Sequence, residues 1–84
     1  MTNTSAATII IDGMALLQAG NLREADQCFR NAYALDQRSA QSLIGLGIVA
    51  HRTGNFALAI EFFDRAINVD PSIAAAHVNR GNAL

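Results

Sequence analysis

Apolar and small residues recur along this chain at three- and four-residue spacing, which is the period of one helix face. Ile9, Gly13 and Leu16 form one stripe, and Leu22, Ala25, Phe29 and Ala32 form another. The pattern then repeats. An offset of 34 residues carries Gly13 onto Gly47, Gly20-Asn21 onto Gly54-Asn55, Ala25 onto Ala59, Phe29 onto Phe63, Ala32 onto Ala66 and Asp36 onto Asp70. A second step of 34 carries Ala40 onto Ala74, Ile44 onto Val78 and Gly47 onto Gly81. The identities fall on small and turn residues, where helix contact and chain reversal leave least freedom. Residues 6–19, 22–35, 40–53, 56–69 and 73–84 are predicted as helices. Ser5, Asn21, Ser39, Asn55 and Ser72 stand where a side chain can cap the first free N–H groups of a helix. Gly20 and Gly54 supply a left-handed residue past the helix end at little steric cost. Pro71 stops the fourth helix, because proline has no N–H to donate and disfavours helix at the residue before it. Gln37 at the equivalent point implies a softer stop. No period-two alternation of β-branched residues occurs, so no strand is expected.

Composition narrows the picture. Half of the 84 residues are apolar (51%) and only 15% are charged, against about 25% in an ordinary domain. So apolar a chain either packs very closely or keeps apolar surface for another molecule. With a net charge of −1 and no basic block, nucleic acid and anionic membrane are disfavoured as partners. The single cysteine, Cys28, excludes an intramolecular disulfide and a multi-cysteine zinc site. Ile9-Ile10-Ile11 is too short for the core of a signal peptide and is broken by Asp12. A cytoplasmic location is the expectation.

The 34-residue period with its Gly, Gly, Ala, Phe, Ala and Asp-Pro resembles the tetratricopeptide repeat (TPR) family. The second unit carries the resemblance in Leu43, Leu46, Gly47, Gly54, Ala59, Phe63, Ala66 and Pro71. The first unit carries it in Gly13, Leu16, Gly20, Ala25, Phe29 and Ala32. The resemblance implies an all-α fold of antiparallel helical hairpins, five helices stacked as a short right-handed superhelix. Residues 1–84 then form one TPR domain, with repeats at 6–39 and 40–73 and a partial third at 74–84. One hairpin cannot bury its apolar face alone, so neighbours must stack. Gly47 and Ala59 would let paired helices approach, with Phe63 between them. Asp12 and Arg80 depart from the family pattern where Leu46 stands in the second unit, and His77 fills a position usually apolar.

No catalytic apparatus, metal or cofactor is expected. Carboxylates are scattered along helices and turns, His51 and His77 lie on different helices, and no basic neighbour activates Cys28. Gly45-Leu46-Gly47 follows no strand and is no phosphate loop. Gly45 costs about 1 kcal/mol of helix propensity and should open space on the face away from the hairpin. The resemblance implies a concave groove lined by the first helix of each repeat. By position it comprises Ile10, Met14 and Leu17; Gln41, Ile44, Ile48, His51 and Arg52; and Asn79 and Asn82. Ala7, Ile11, Gln18, Gly45, Ala75 and Val78 line it as well. Chaperone-binding members grip a C-terminal carboxylate with Lys, Arg and Asn in this groove. Met14 and Ile48 stand here where Asn would be needed, which disfavours such a clamp. The expected function is therefore protein–protein interaction, with a peptide or helix of a partner in an apolar groove. A homodimer through the groove or the last helix is the competing occupant. Two alternatives keep the fold: the leading TPR segment of a larger enzyme such as a glycosyltransferase, and a small secretion chaperone.

Overall fold

The computed structural model describes residues 5–72, which form four helices. These are α1 (Ala6–Gln18), α2 (Leu22–Leu35), α3 (Ala40–Arg52) and α4 (Phe56–Val69). The expected fifth helix, with His77, Asn79, Arg80 and Asn82, lies outside the described residues. Among the described residues the structure is all-α, as the spacing predicts.

Helix ends follow from the local chemistry. The hydroxyl of Ser5 accepts from the Thr8 N–H, and that of Ser39 from the Ser42 N–H. The Asn55 side chain accepts from the Leu58 N–H. Asn21 occupies the same position before α2 but makes no side-chain cap bond there. Gly20 and Gly54 both adopt φ of 84°. Around Gly20, the Asn21 N–H reaches the Leu16 carbonyl and the Gly20 N–H reaches Leu17. Around Gly54, Asn55 reaches Ala50 and Gly54 reaches His51. These are paired Schellman closures, and they end α1 and α3 one residue sooner than the spacing predicts. The second helix of each hairpin stops at an aspartate. The Asp36 carboxylate accepts from the Arg38 N–H, and that of Asp70 from the N–H and hydroxyl of Ser72. Since α2 and α4 end at equivalent residues, proline does not sharpen the second stop relative to the first; the aspartate turn sets both.

Each hairpin closes by seating a phenylalanine ring on a glycine. A Cβ on Gly13 would lie 2.9 Å from the Phe29 ring, and one on Gly47 would collide with the Phe63 ring. Both phenylalanines are fully buried, as are Ala25, Ala32, Ala59 and Ala66 around them. The hairpins then stack, with α3 packed against α1, α2 and α4. The seam between them is built by the same Phe29. Its ring also covers Gly45, where a Cβ would lie 2.5 Å away. Gly45 therefore opens no space on a free face. It is the socket by which the second hairpin receives the first.

Candidate functional site

The groove positions expected from the sequence divide into buried, exposed and tied side chains. Ile10, Leu17 and Ile44 are only 8%, 4% and 7% exposed and belong to the continuous core. They are a floor, not a contact surface. The physical reason is the stacking of α3 on α1, which closes over residues that would face solvent in an isolated hairpin. Met14 remains open at 39%, and Ile48 is half-buried on the equivalent position of α3. Gln41 is exposed at the start of α3 and lines a separate depression with Arg38, Asn68 and Asp70. Asn79 and Asn82 lie outside the described residues.

His51 and Arg52 have local partners. The Arg52 guanidinium donates to the Leu17 carbonyl at 2.9 Å. That carbonyl belongs to the last turn of α1, where helix carbonyls lack partners within the helix, and a cation is favoured there by the helix dipole. Arg52 thus ties the C-terminal end of α3 to that of α1. The His51 ring meets Phe56 edge-on, with centroids 5.1 Å apart, across the α3–α4 turn.

Two ties went unread in the sequence. Arg65 of α4 donates to the Tyr33 hydroxyl of α2 at 3.0 Å, and its guanidinium lies 5.5 Å from the Tyr33 ring centre and 5.8 Å from that of Phe62. The residue types alone give no sign of this pair, because Asn31 and Ile67 hold the equivalent places. The Phe29–Gly45 seam did leave a sign. Gly45 aligns with Ile11 and Asn79, so it is the one α3 glycine without a counterpart in the repeat.

Chemistry at the face is sparse. Asp12 is the only charged residue in α1. Among the described residues no group of three or more His, Cys, Asp or Glu could hold a metal ion. Cys28 lies on the outer side of the first hairpin. Burial pushes its thiol above the ordinary value, and the nearby carboxylates of Asp12 and Glu24 push it further. That is opposite to what a nucleophile needs. Among the described residues no helix is long and apolar enough to cross a membrane.

Comparison with known proteins places this geometry. The tetratricopeptide repeat family model matches residues 13–72. Cellulose synthase operon protein C of Komagataeibacter xylinus is 39% identical over 62 residues, which are 74% of this chain and 5% of that protein. The chain thus corresponds to a small fraction of the length of these relatives. Among solved structures, the first TPR of Spaghetti (RPAP3) bound to the HSP90 peptide SRMEEVD superposes with a TM-score of 0.89 at 22% identity, covering 94% of this chain and 63% of that one. The MamA crystal structure gives 0.87 at 29% identity, covering 95% of this chain and 47% of that one. With its seated phenylalanines, its Schellman turns and its stacked hairpins, the chain belongs to the tetratricopeptide repeat family.

Proposed function

We propose that this chain is a protein–protein interaction module that holds an apolar peptide or amphipathic helix of a partner against the α1–α3 face. One observation carries the reading: Met14 stays open and Ile48 half-open above a floor closed by Ile10, Leu17 and Ile44. A partly exposed apolar pair on a rigid floor gains by covering itself, at about 25 cal/mol per Å² of apolar area removed from water. No step in this reading is catalytic. The repeats at 6–39 and 40–73 wind in this reading as a right-handed superhelix, and the proposed contacts at Asn79 and Asn82 lie outside the described residues. A cytoplasmic location belongs to this reading as well, and self-association through the same face is the competing occupant.

The solved TPR similar to this one holds an acidic peptide, SRMEEVD. Apolar Met14 and Ile48 offer a carboxylate no donor, so that peptide should not bind here. Amide chemical shifts of the labelled chain test both halves. A neutral amphipathic helix with a leucine stripe should move the resonances of Met14, Ile48 and their neighbours, and SRMEEVD should leave them in place. Shifts confined to α2 and α4 would refute the face.

A second reading is that the chain works as part of a longer repeat protein. The 5% share of cellulose synthase operon protein C favours a longer protein, the leading segment of a larger enzyme included, over the small secretion chaperone. Sequencing the reading frame beyond Leu84 tests it, and a stop codon there would remove it.

A further inference from the structure

The two hairpins meet mainly through apolar packing. At the seam Phe29 of α2 sits on Gly45 of α3. Beside it, Leu46, Val49 and Ala50 of α3 line a groove between α2 and α4, and those two helices do not pack on each other directly. Among the described residues, hydrogen bonds cross from hairpin to hairpin on both sides of the α2–α3 contact. On the α1–α3 side the Arg52 Nη1 donates to the Leu17 carbonyl at 2.9 Å. On the α2–α4 side the Arg65 Nη2 donates to the Tyr33 hydroxyl at 3.0 Å, with its guanidinium over the Tyr33 and Phe62 rings. Arg52 stands about one helical turn beyond Ile48 on α3, and Leu17 about one turn beyond Met14 on α1. The first bond therefore lies next to the open apolar pair on both of its helices.

We infer that Arg52 is a positioning residue that sets the spacing of Met14 and Ile48, while the Arg65–Tyr33 bridge holds the opposite side of the same seam. Its bearing on affinity rests on the docking face proposed above; its geometry rests on the two bonds. Apolar contact is non-directional, so Phe29 in its glycine socket leaves the hairpins free to rock about the α2–α3 contact. A hydrogen bond holds only within a narrow range of distance and angle. A guanidinium on a helix-end carbonyl is also charge-assisted and favoured by the helix dipole. Arg52 thus stops the α1–α3 side from opening, and Arg65 does the same between α2 and α4. Without the Arg52 bond, a docked helix has to select the closed spacing from a wider set, and its apparent affinity falls with the closed fraction. That fall is bounded by what the bond contributes, about tenfold.

The spacing can be read with no partner present. In the full chain carrying Cys28→Ser, spin labels on Ala7→Cys and Gln41→Cys report the α1–α3 separation. Labels on Gln27→Cys and Glu61→Cys report the α2–α4 separation. All four sites are exposed, and each pair holds equivalent positions one repeat apart. Electron–electron resonance should show Arg52→Ala lengthening and broadening the first distance but not the second. Arg65→Ala should lengthen the second but not the first. An unchanged first distance in a folded Arg52→Ala chain, or both distances lengthening in both variants, would overturn the inference. Should the alanine variant lose helicity, Arg52→Met, which keeps the apolar stem and removes the donors, carries the same expectation. Titration with the neutral leucine-stripe helix then joins spacing to function. Arg52→Ala should weaken binding by about threefold to tenfold, with shifts still centred on Met14 and Ile48. Full affinity in a variant whose first distance has lengthened would overturn the positioning role. A wild type that does not bind the helix refutes the docking face, and the distances still decide whether Arg52 sets the spacing.

Discussion

The first hairpin and the second share their turn, cap and packing residues, yet α1 buries three residues and α3 buries nine. The internal parts match: a capping serine, a glycine under a phenylalanine, a Schellman turn and an aspartate stop. What differs is the neighbours. α3 has packed helices on both sides of it, whereas the outer side of α1 faces water across Asp12, Ala15 and Leu16. Burial in a repeat protein is thus assigned by place in the stack as much as by residue type. The same positions can be core in one unit and surface in the next.

That comparison can be broken at the shared parts first. Phe63→Ala empties a fully buried site and should cost about 3–5 kcal/mol, much of the stability of so small a domain. Phe29→Ala should cost more in thermal unfolding, because Phe29 also fills the seam at Gly45. Equal or smaller loss at Phe29 would mean the seam contributes little.

Gly45→Ala sharpens the contrast more finely. It leaves both hairpins intact but places a methyl in the Phe29 ring, so about 1–3 kcal/mol of overpacking is expected. Ile11→Ala, at the equivalent place, should change the melting point little. Two similar losses would show that the outer face is packed after all.

Smaller effects follow. Arg52→Ala removes the bond to the Leu17 carbonyl and should lower stability by about 0.5–1.5 kcal/mol, with faster hydrogen exchange at the C-terminal end of α1. Smallest is a titration. Asp12→Asn with Glu24→Gln removes two charges that disfavour the Cys28 thiolate, so the pH profile of thiol labelling should move to lower pH. A stationary profile would mean that the acids do not face the thiol.

How much of this was legible in the sequence depends on what each residue must do locally. Helix extents, the serine caps, the glycine turns and the Gly–Phe pairs were readable, because each is a short-range constraint repeated at one period. The groove was readable only in outline. Ile10, Leu17 and Ile44 share the spacing of contact positions, and spacing alone does not say which helix will close over them. Gly45 was misjudged for the same reason. Its lack of a side chain signals close approach, but the partner, Phe29, lies in the other hairpin. Arg52 reads as a groove residue, and its guanidinium also ties α3 to α1.

The claim that matters most for function is that a partner settles on Met14 and Ile48. Its most direct test is titration of the labelled full chain with a neutral amphipathic leucine-stripe helix, comparing wild type with Ile48→Asp. The account predicts shifts at Met14, Ile48 and Arg52 in the wild type, and loss of binding in the variant with its helicity unchanged. Binding that survives Ile48→Asp at full strength, or shifts that gather on α2 and α4 instead, would contradict it.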